Sequence, residues 1–238
     1  MATPTPRKLY ELNRSPNSRK VRAVAQELGI ELTLVPVNAR AGENKTPEFL
    51  AKNPNAKLPV LEEGDFVLWE SCAILSYLAS LKPERGLFPT DPRQRADVER
   101  WLFWQTAHFS PAASKVGYER VLKPMLGRGE PDPKVVEEGL ADFHRYAKVL
   151  DTCLAGKEYV AGRLSVADFA LAAHLANREP AGLDIKPYPN LSAWLARIEA
   201  RWRAEWAAGK SASDEGEEEE PAESIEQRVE RLRRAAQG

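Results

Sequence analysis

Cysteine is nearly missing from this chain, with two in 238 residues, Cys72 and Cys153. That is too few for a disulfide framework or a cysteine-based zinc site, and two free thiols in a reducing compartment are a simpler reading than one bridge. An excess of charge of either sign is missing too. Lys and Arg number 34 and Asp and Glu 35, for a net charge of -1. That balance argues against nucleic acid or an anionic membrane as the main partner. No apolar run approaches the ~20 residues of a membrane-crossing helix. The opening segment, Met1 to Arg7, lacks the apolar stretch of a signal peptide. No internal repeat is visible. What remains is ordinary for a globular protein, 43% hydrophobic and 29% charged, and the expectation is a cytoplasmic chain of one large or two small domains.

Three zones follow one another. The first mixes strand-like and helix-like segments. Lys8–Leu12 suits a strand. Ser15-Pro16 is a cap-plus-proline helix start, and Val21, Val24, Ala25 and Leu28 then recur at helical spacing before Gly29. Ile30–Val37 reads as a strand, with Pro36 hinting at an edge. Residues 38–57 leave room for one short helix near Pro47–Lys52. Leu58–Glu62 and Asp65–Trp69 read as a hairpin turning at Glu63-Gly64. Ser71 is placed to cap a helix carrying Ile74, Leu75, Leu78 and Leu81. Strand, helix, strand, strand, strand, helix is the order of an α/β thioredoxin-like domain, assigned to residues 7–83.

The second zone, residues 91–206, reads as an all-α bundle. Asp91-Pro92 begins a long helix through Trp101, Trp104 and His108. Pro111, Pro124, Gly127, Gly129 and Pro131 predict short or broken helices after it. Asp132-Pro133 opens a helix with Val136, Leu140, Phe143, Ala147, Leu150 and Leu154 on one face. Ser165 to Asp168 has capping-box spacing with Asp in place of Glu, a folding device. Leu191, Trp194, Leu195 and Ile198 mark the last helix. Residues 207–238 form the third zone, an acidic tail expected to be mobile, with a possible short helix after Ser224.

Three segments in the first zone carry the chemistry: Ser15-Pro-Asn-Ser-Arg-Lys-Val21, Asn53-Pro-Asn-Ala-Lys-Leu-Pro-Val60, and Trp69-Glu-Ser-Cys-Ala-Ile-Leu75. On these motifs and their order, residues 7–206 resemble the cytosolic glutathione S-transferases with a serine-type active site, of the theta, delta or nu kind.

The resemblance implies a fold, an activity and a site. The fold is a thioredoxin-like domain followed by a helical domain. The activity is attack of the glutathione thiolate on a hydrophobic electrophile, with glutathione as co-substrate, no metal, and a homodimer. Serines stand at both positions where thioredoxin-like proteins carry a Cys-x-x-Cys pair. Ser15, six residues before Val21, would hydrogen-bond the thiolate, with Asn17 as a second donor and Ser18 as a competing candidate. A thiol of pKa ~8.5 is only about 3% ionised at pH 7, and a shift of ~2 units raises that to about 75%. Leu58 and a cis Pro59 would present backbone groups to the peptide, with Lys57 reaching its glycyl carboxylate. Glu70 would pair with the γ-glutamyl ammonium, and Ser71 at a helix N-terminus would hold the α-carboxylate.

Plainer readings stand beside these. Ser15 and Ser71 would then only cap helices, and Lys57 would be a solvated surface lysine. Cys72 is read as an inert buried thiol, with a reactive one beside the ligand site as the alternative. Trp104 and His108 share a helix face, with Tyr118 further on. They line an apolar electrophile pocket or belong to the bundle core. Two other functions compete with the transferase. One is a glutathione-dependent isomerase of the maleylacetoacetate type. The other is a non-catalytic binding or scaffold protein, whose tail would take a protein partner.

Overall fold

The structure, a computed structural model, describes residues 6–208, and the acidic tail expected from about residue 207 lies outside them beyond Ala208. The first elements are β1 (Arg7–Glu11), α1 (Pro16–Glu27), β2 (Thr33–Pro36), α2 (Pro47–Lys52), β3 (Val60–Glu63), β4 (Phe66–Trp69) and α3 (Ser71–Ser80). The four strands form one sheet in the order β2-β1-β3-β4. β1 runs parallel to β2 and antiparallel to β3, and β4 closes an antiparallel hairpin on β3. β2 is an edge, where Pro36 is tolerated.

Residue alternation assigns the two faces of the sheet. Leu9 and Leu61 pair across β1 and β3 and are fully buried on one side. Tyr10 and Val60, the next pair, join Phe49 of α2, Val37 and Val67 on the other.

β2 is shorter than the expected strand Ile30–Val37 because Ile30 belongs to the end of α1. Gly29, at φ 65°, donates to Gln26 O at 2.9 Å, and Ile30 N donates to Ala25 O at 2.8 Å. This double wrap satisfies the last carbonyls of the helix, and it depends on glycine in the left-handed region.

The helical layer opens with α4 (Pro92–Trp104), α5 (Ser110–Gly117) and α6 (Lys123–Met125), joined by π-helical turns at Gln105–Phe109 and Tyr118–Leu122. The breaks expected around Pro111 and Pro124 do not occur. Each proline follows a π turn by two residues, so its missing N–H and its ring meet widened backbone rather than a tight i−4 carbonyl. α7 (Pro133–Leu154), α8 (Val166–Ala173), α9 (Arg178–Ala181) and α10 (Pro189–Ala208) complete the layer. Asp132 caps α7 through Lys134 N and Val135 N. A Cβ on Gly139 of α7 would meet Val116 Cγ2 at 2.7 Å, so glycine sets the close approach of α5 to α7.

Residues through Ala200 form one compact unit, and a second begins at Arg201, of which only the end of α10 is described. Within the first unit α1 packs on both α3 and α8, and α8 packs on α4. Asp168 is a buried hub in α8. It accepts hydrogen bonds from Val160 N, from the N–H and hydroxyl of Ser165, and from Trp194 Nε1. Burial holds its carboxyl above the ordinary Asp value although these donors pull it down.

His174, at the end of α8, is buried with the Ser110 hydroxyl 3.2 Å from Nε2. Burial, helped by Lys20, lowers its pKa from 6.5 to about 3. The imidazole is therefore neutral in the fold and takes up a proton on unfolding at mildly acid pH. The unfolded state then binds more protons, so stability is full above pH ~6.5 and is lost as pH falls toward the folded pKa. His174 is expected to remove about 2 kcal/mol between pH 7.5 and pH 5. Urea midpoints of the wild type and His174→Gln at the two pH values test this. An equal drop in both chains would contradict it.

Candidate active site

The ends of β1 and β4 deliver the two helix N-termini that build the site. After Glu11 the chain turns, with Ser15 N donating to Leu12 O at 2.9 Å, and α1 starts at Pro16. Ser15 stands at the N-cap with extended backbone, yet its side chain caps no amide. The expected capping role is therefore not the one it plays. Ser15 is half-buried and its hydroxyl makes no hydrogen bond among the described residues, whereas Ser18 is fully buried and accepts the Leu12 N–H at 3.3 Å. The structure thus gives Ser18 a local bracing task within the turn that carries Ser15.

The second N-terminus belongs to α3. Glu70, not Ser71, holds the cap position, and it caps nothing. Its backbone is at φ 70°, ψ 106°, a region that costs a non-glycine residue about 1–3 kcal/mol. Glu70 is exposed, while Ser71, the first helical residue, is buried. Ser71 Oγ donates to Asn17 Oδ1 at 3.3 Å. That contact ties the first turn of α3 to the first turn of α1. Two helix N-termini meet there, neither with a side-chain cap among the described residues, and each presents the positive end of a helix dipole.

A third segment lies just before β3. The Leu58–Pro59 peptide is cis. The ladder between β1 and β3 begins at Val60, so Leu58 lies outside it. Asn53, itself buried, donates from Nδ2 to Lys57 O at 2.9 Å and fixes the approach to the cis bond. Lys57 is exposed and makes no ion pair among the described residues.

The aromatic candidates divide. Trp104 stacks on Phe109 with centroids 5.7 Å apart and stands edge-on to Trp101 and Tyr146. It belongs to the packing between the long helix and α7. His108 is exposed, with its ring 5.5 Å from Tyr146 and 6.4 Å from Trp104. Tyr118 shares none of these ring contacts. It lies on an exposed stripe of the long helix with Pro111, Ser114, Leu122 and Met125, at intervals of three and four residues. The stripe is legible only once the helix is known to run unbroken through both prolines.

Cys72 is not the buried thiol expected. It is partly exposed, and its Sγ lies 3.3 Å from Nζ of the buried Lys20. Lys20 was not among the expected site residues. The signal was there, because Lys20 precedes Val24 and Leu28 by four and eight residues, which puts it on the apolar side of α1.

A βαβ unit and hairpin, a cis proline before the third strand, and two adjoining helix N-termini under a helical layer define a thioredoxin-like protein with an all-helical second part. Comparison with known proteins agrees. The family model described as glutathione S-transferase, N-terminal domain, matches residues 5–80, and the one described as glutathione S-transferase, C-terminal domain, matches residues 133–197. Glutathione S-transferase 3 of Zea mays is 37% identical over 202 residues, 82% of this chain and 90% of that protein. Glutathione S-transferase D6 of Drosophila melanogaster is 32% identical over 188 residues, 78% of this chain and 84% of that protein. The crystal structure of glutathione transferase F7 from Populus trichocarpa superposes with a TM-score of 0.77 at 29% identity, covering 85% of this chain and 97% of that one. The chain belongs to the glutathione S-transferase family.

Proposed function

We propose that this glutathione transferase binds reduced glutathione where α1 and α3 meet and activates its thiol with Ser15. The contact between Ser71 Oγ and Asn17 Oδ1 carries the reading, because it brings the thiol-activating turn and the γ-glutamyl-binding turn into one site. The α-carboxylate sits on the amides and hydroxyl at the start of α3, where the helix dipole favours an anion. Glu70 pairs with the ammonium beside it. Leu58 offers its backbone to the central part of the peptide, and Lys57 meets the glycyl carboxylate. The Ser15 hydroxyl donates to the sulfur, helped by the Asn17 amide, and the thiol proton passes to solvent. The thiolate then attacks the electrophilic centre of an apolar substrate, forming a carbon–sulfur bond as the leaving group departs with its electron pair. The exposed stripe with Tyr118, Leu122 and Met125 supplies apolar surface for that substrate. His108 adds a polar group nearby, and Trp104 supports it from within the bundle.

The test is calorimetric titration with reduced glutathione. The wild type binds one equivalent per chain. Glu70→Gln keeps the shape and removes the charge. A charge-assisted hydrogen bond contributes about 1.5–3 kcal/mol, so affinity is expected to fall by roughly 10- to 150-fold. Unchanged affinity would remove Glu70 from the site. No binding by the wild type at millimolar glutathione would overturn the whole reading.

A further inference from the structure

Lys20 and Cys72 form a pair outside the thiol-activating arrangement. Lys20 projects from α1 into the seam with the helical layer and is 1% exposed. No carboxylate lies within ion-pairing distance of it among the described residues. Its Nζ meets Cys72 Sγ at 3.3 Å and Gln105 Oε1 at 3.4 Å. The π turn after α4 brings Gln105 inward, where it is 1% exposed. Gln105 Oε1 is oversubscribed, since Cys72 Sγ and the Thr106 hydroxyl also approach it at 3.4 Å. The Thr106 hydroxyl lies 3.6 Å from Sγ as well.

A buried ammonium normally has a carboxylate partner, because an uncompensated charge away from water is costly. Here its acceptors are one shared amide oxygen and a sulfur. A neutral thiol is a weak acceptor. Negative charge developing on the Cys72 sulfur would meet this ammonium, with the Thr106 hydroxyl beside it. Cys72 itself is only partly buried.

We propose that Cys72 is a redox modification site that takes up a thiol from a small disulfide such as glutathione disulfide, with the Lys20 ammonium as counter-ion to the attacking sulfur. The Cys72 sulfur attacks one sulfur of the disulfide in line with its S–S bond. That bond breaks as a new one forms to Cys72. The displaced glutathione leaves as thiolate and takes up the proton Cys72 gave to solvent. The disulfide is the oxidant, and nothing else is consumed. The proposal rests on the Lys20–Cys72–Gln105 cluster and needs neither Ser15 nor Glu70, so it stands apart from the transferase reading.

The chain holds its own comparison. Cys153 is also partly exposed, and it makes no hydrogen bond to a cationic side chain among the described residues. The experiment incubates the reduced full-length protein with glutathione disulfide, quenches aliquots with acid, and follows the adduct on each cysteine peptide by mass spectrometry. Cys72 is expected to react roughly tenfold faster than Cys153, and Lys20→Met to remove most of that advantage while leaving Cys153 unchanged. Lys20→Arg keeps the charge and should keep the advantage. Equal rates at the two cysteines of the wild type would overturn the proposal without any variant. A Cys72 advantage that survives in a folded Lys20→Met protein would overturn the role of Lys20.

Discussion

Ser15→Ala is expected to lower kcat/KM for conjugation about 25-fold at pH 7 and to leave it nearly unchanged above pH 9. On the proposed mechanism the Ser15 hydroxyl, which caps no amide of α1, donates to the bound sulfur. Its removal returns the thiol from a pKa near 6.5 to its ordinary ~8.5, so the ionised fraction at pH 7 drops from about 75% to about 3%. At high pH both forms are ionised and the curves converge. The ultraviolet absorbance of the bound thiolate, titrated against pH, reports the same shift directly. Ser18→Ala should behave differently. It strands the Leu12 N–H that Ser18 Oγ accepts, costing about 1–2 kcal/mol of stability while leaving the pH profile of the rate in place. A profile that shifts with Ser18→Ala and not with Ser15→Ala would exchange their roles.

Asp168→Ala is expected to destabilise the fold by about 4 kcal/mol or more. The carboxylate is fully buried and serves four donors within 3.0 Å on Val160, Ser165 and Trp194. Each buried donor left unpaired costs about 1–3 kcal/mol, and partial relaxation keeps the sum below its simple maximum. Against a total of about 5–15 kcal/mol for a typical domain, the loss is large. Asp168→Asn should cost less. It preserves one acceptor oxygen for Val160 N and Trp194 Nε1, and sets its amide against the two donors of Ser165. Urea denaturation followed by tryptophan fluorescence separates the two variants. A loss below about 1 kcal/mol for Asp168→Ala would mean that water replaces the carboxylate at the hub.

Asp168 was visible in the sequence only as the far end of a capping box. Spacing shows the partner four residues or fewer away. It does not show Trp194, 26 positions later, whose indole N–H completes the hub. The long helix has the same character. Pro111 and Pro124 are read locally as breakers, and the π turns that absorb them depend on packing against α7 and α8. With the helix unbroken, Tyr118 joins a stripe with Leu122 and Met125 instead of an irregular loop.

The amino-acid sequence by itself determined the order of elements, the hairpin, the edge position of Pro36, the helix starts at Asp91-Pro92 and Asp132-Pro133, and the three segments that resemble the family. These depend on short-range physics: residue alternation, helical spacing, caps and proline geometry. Tertiary structure alone decided that Ser18 is the serine that takes the Leu12 amide. It alone tied Asn17 to Ser71 across 54 positions, and it alone set a buried ammonium from one helix against the sulfur of another. Such pairings join groups far apart in the chain, and local spacing carries no record of them.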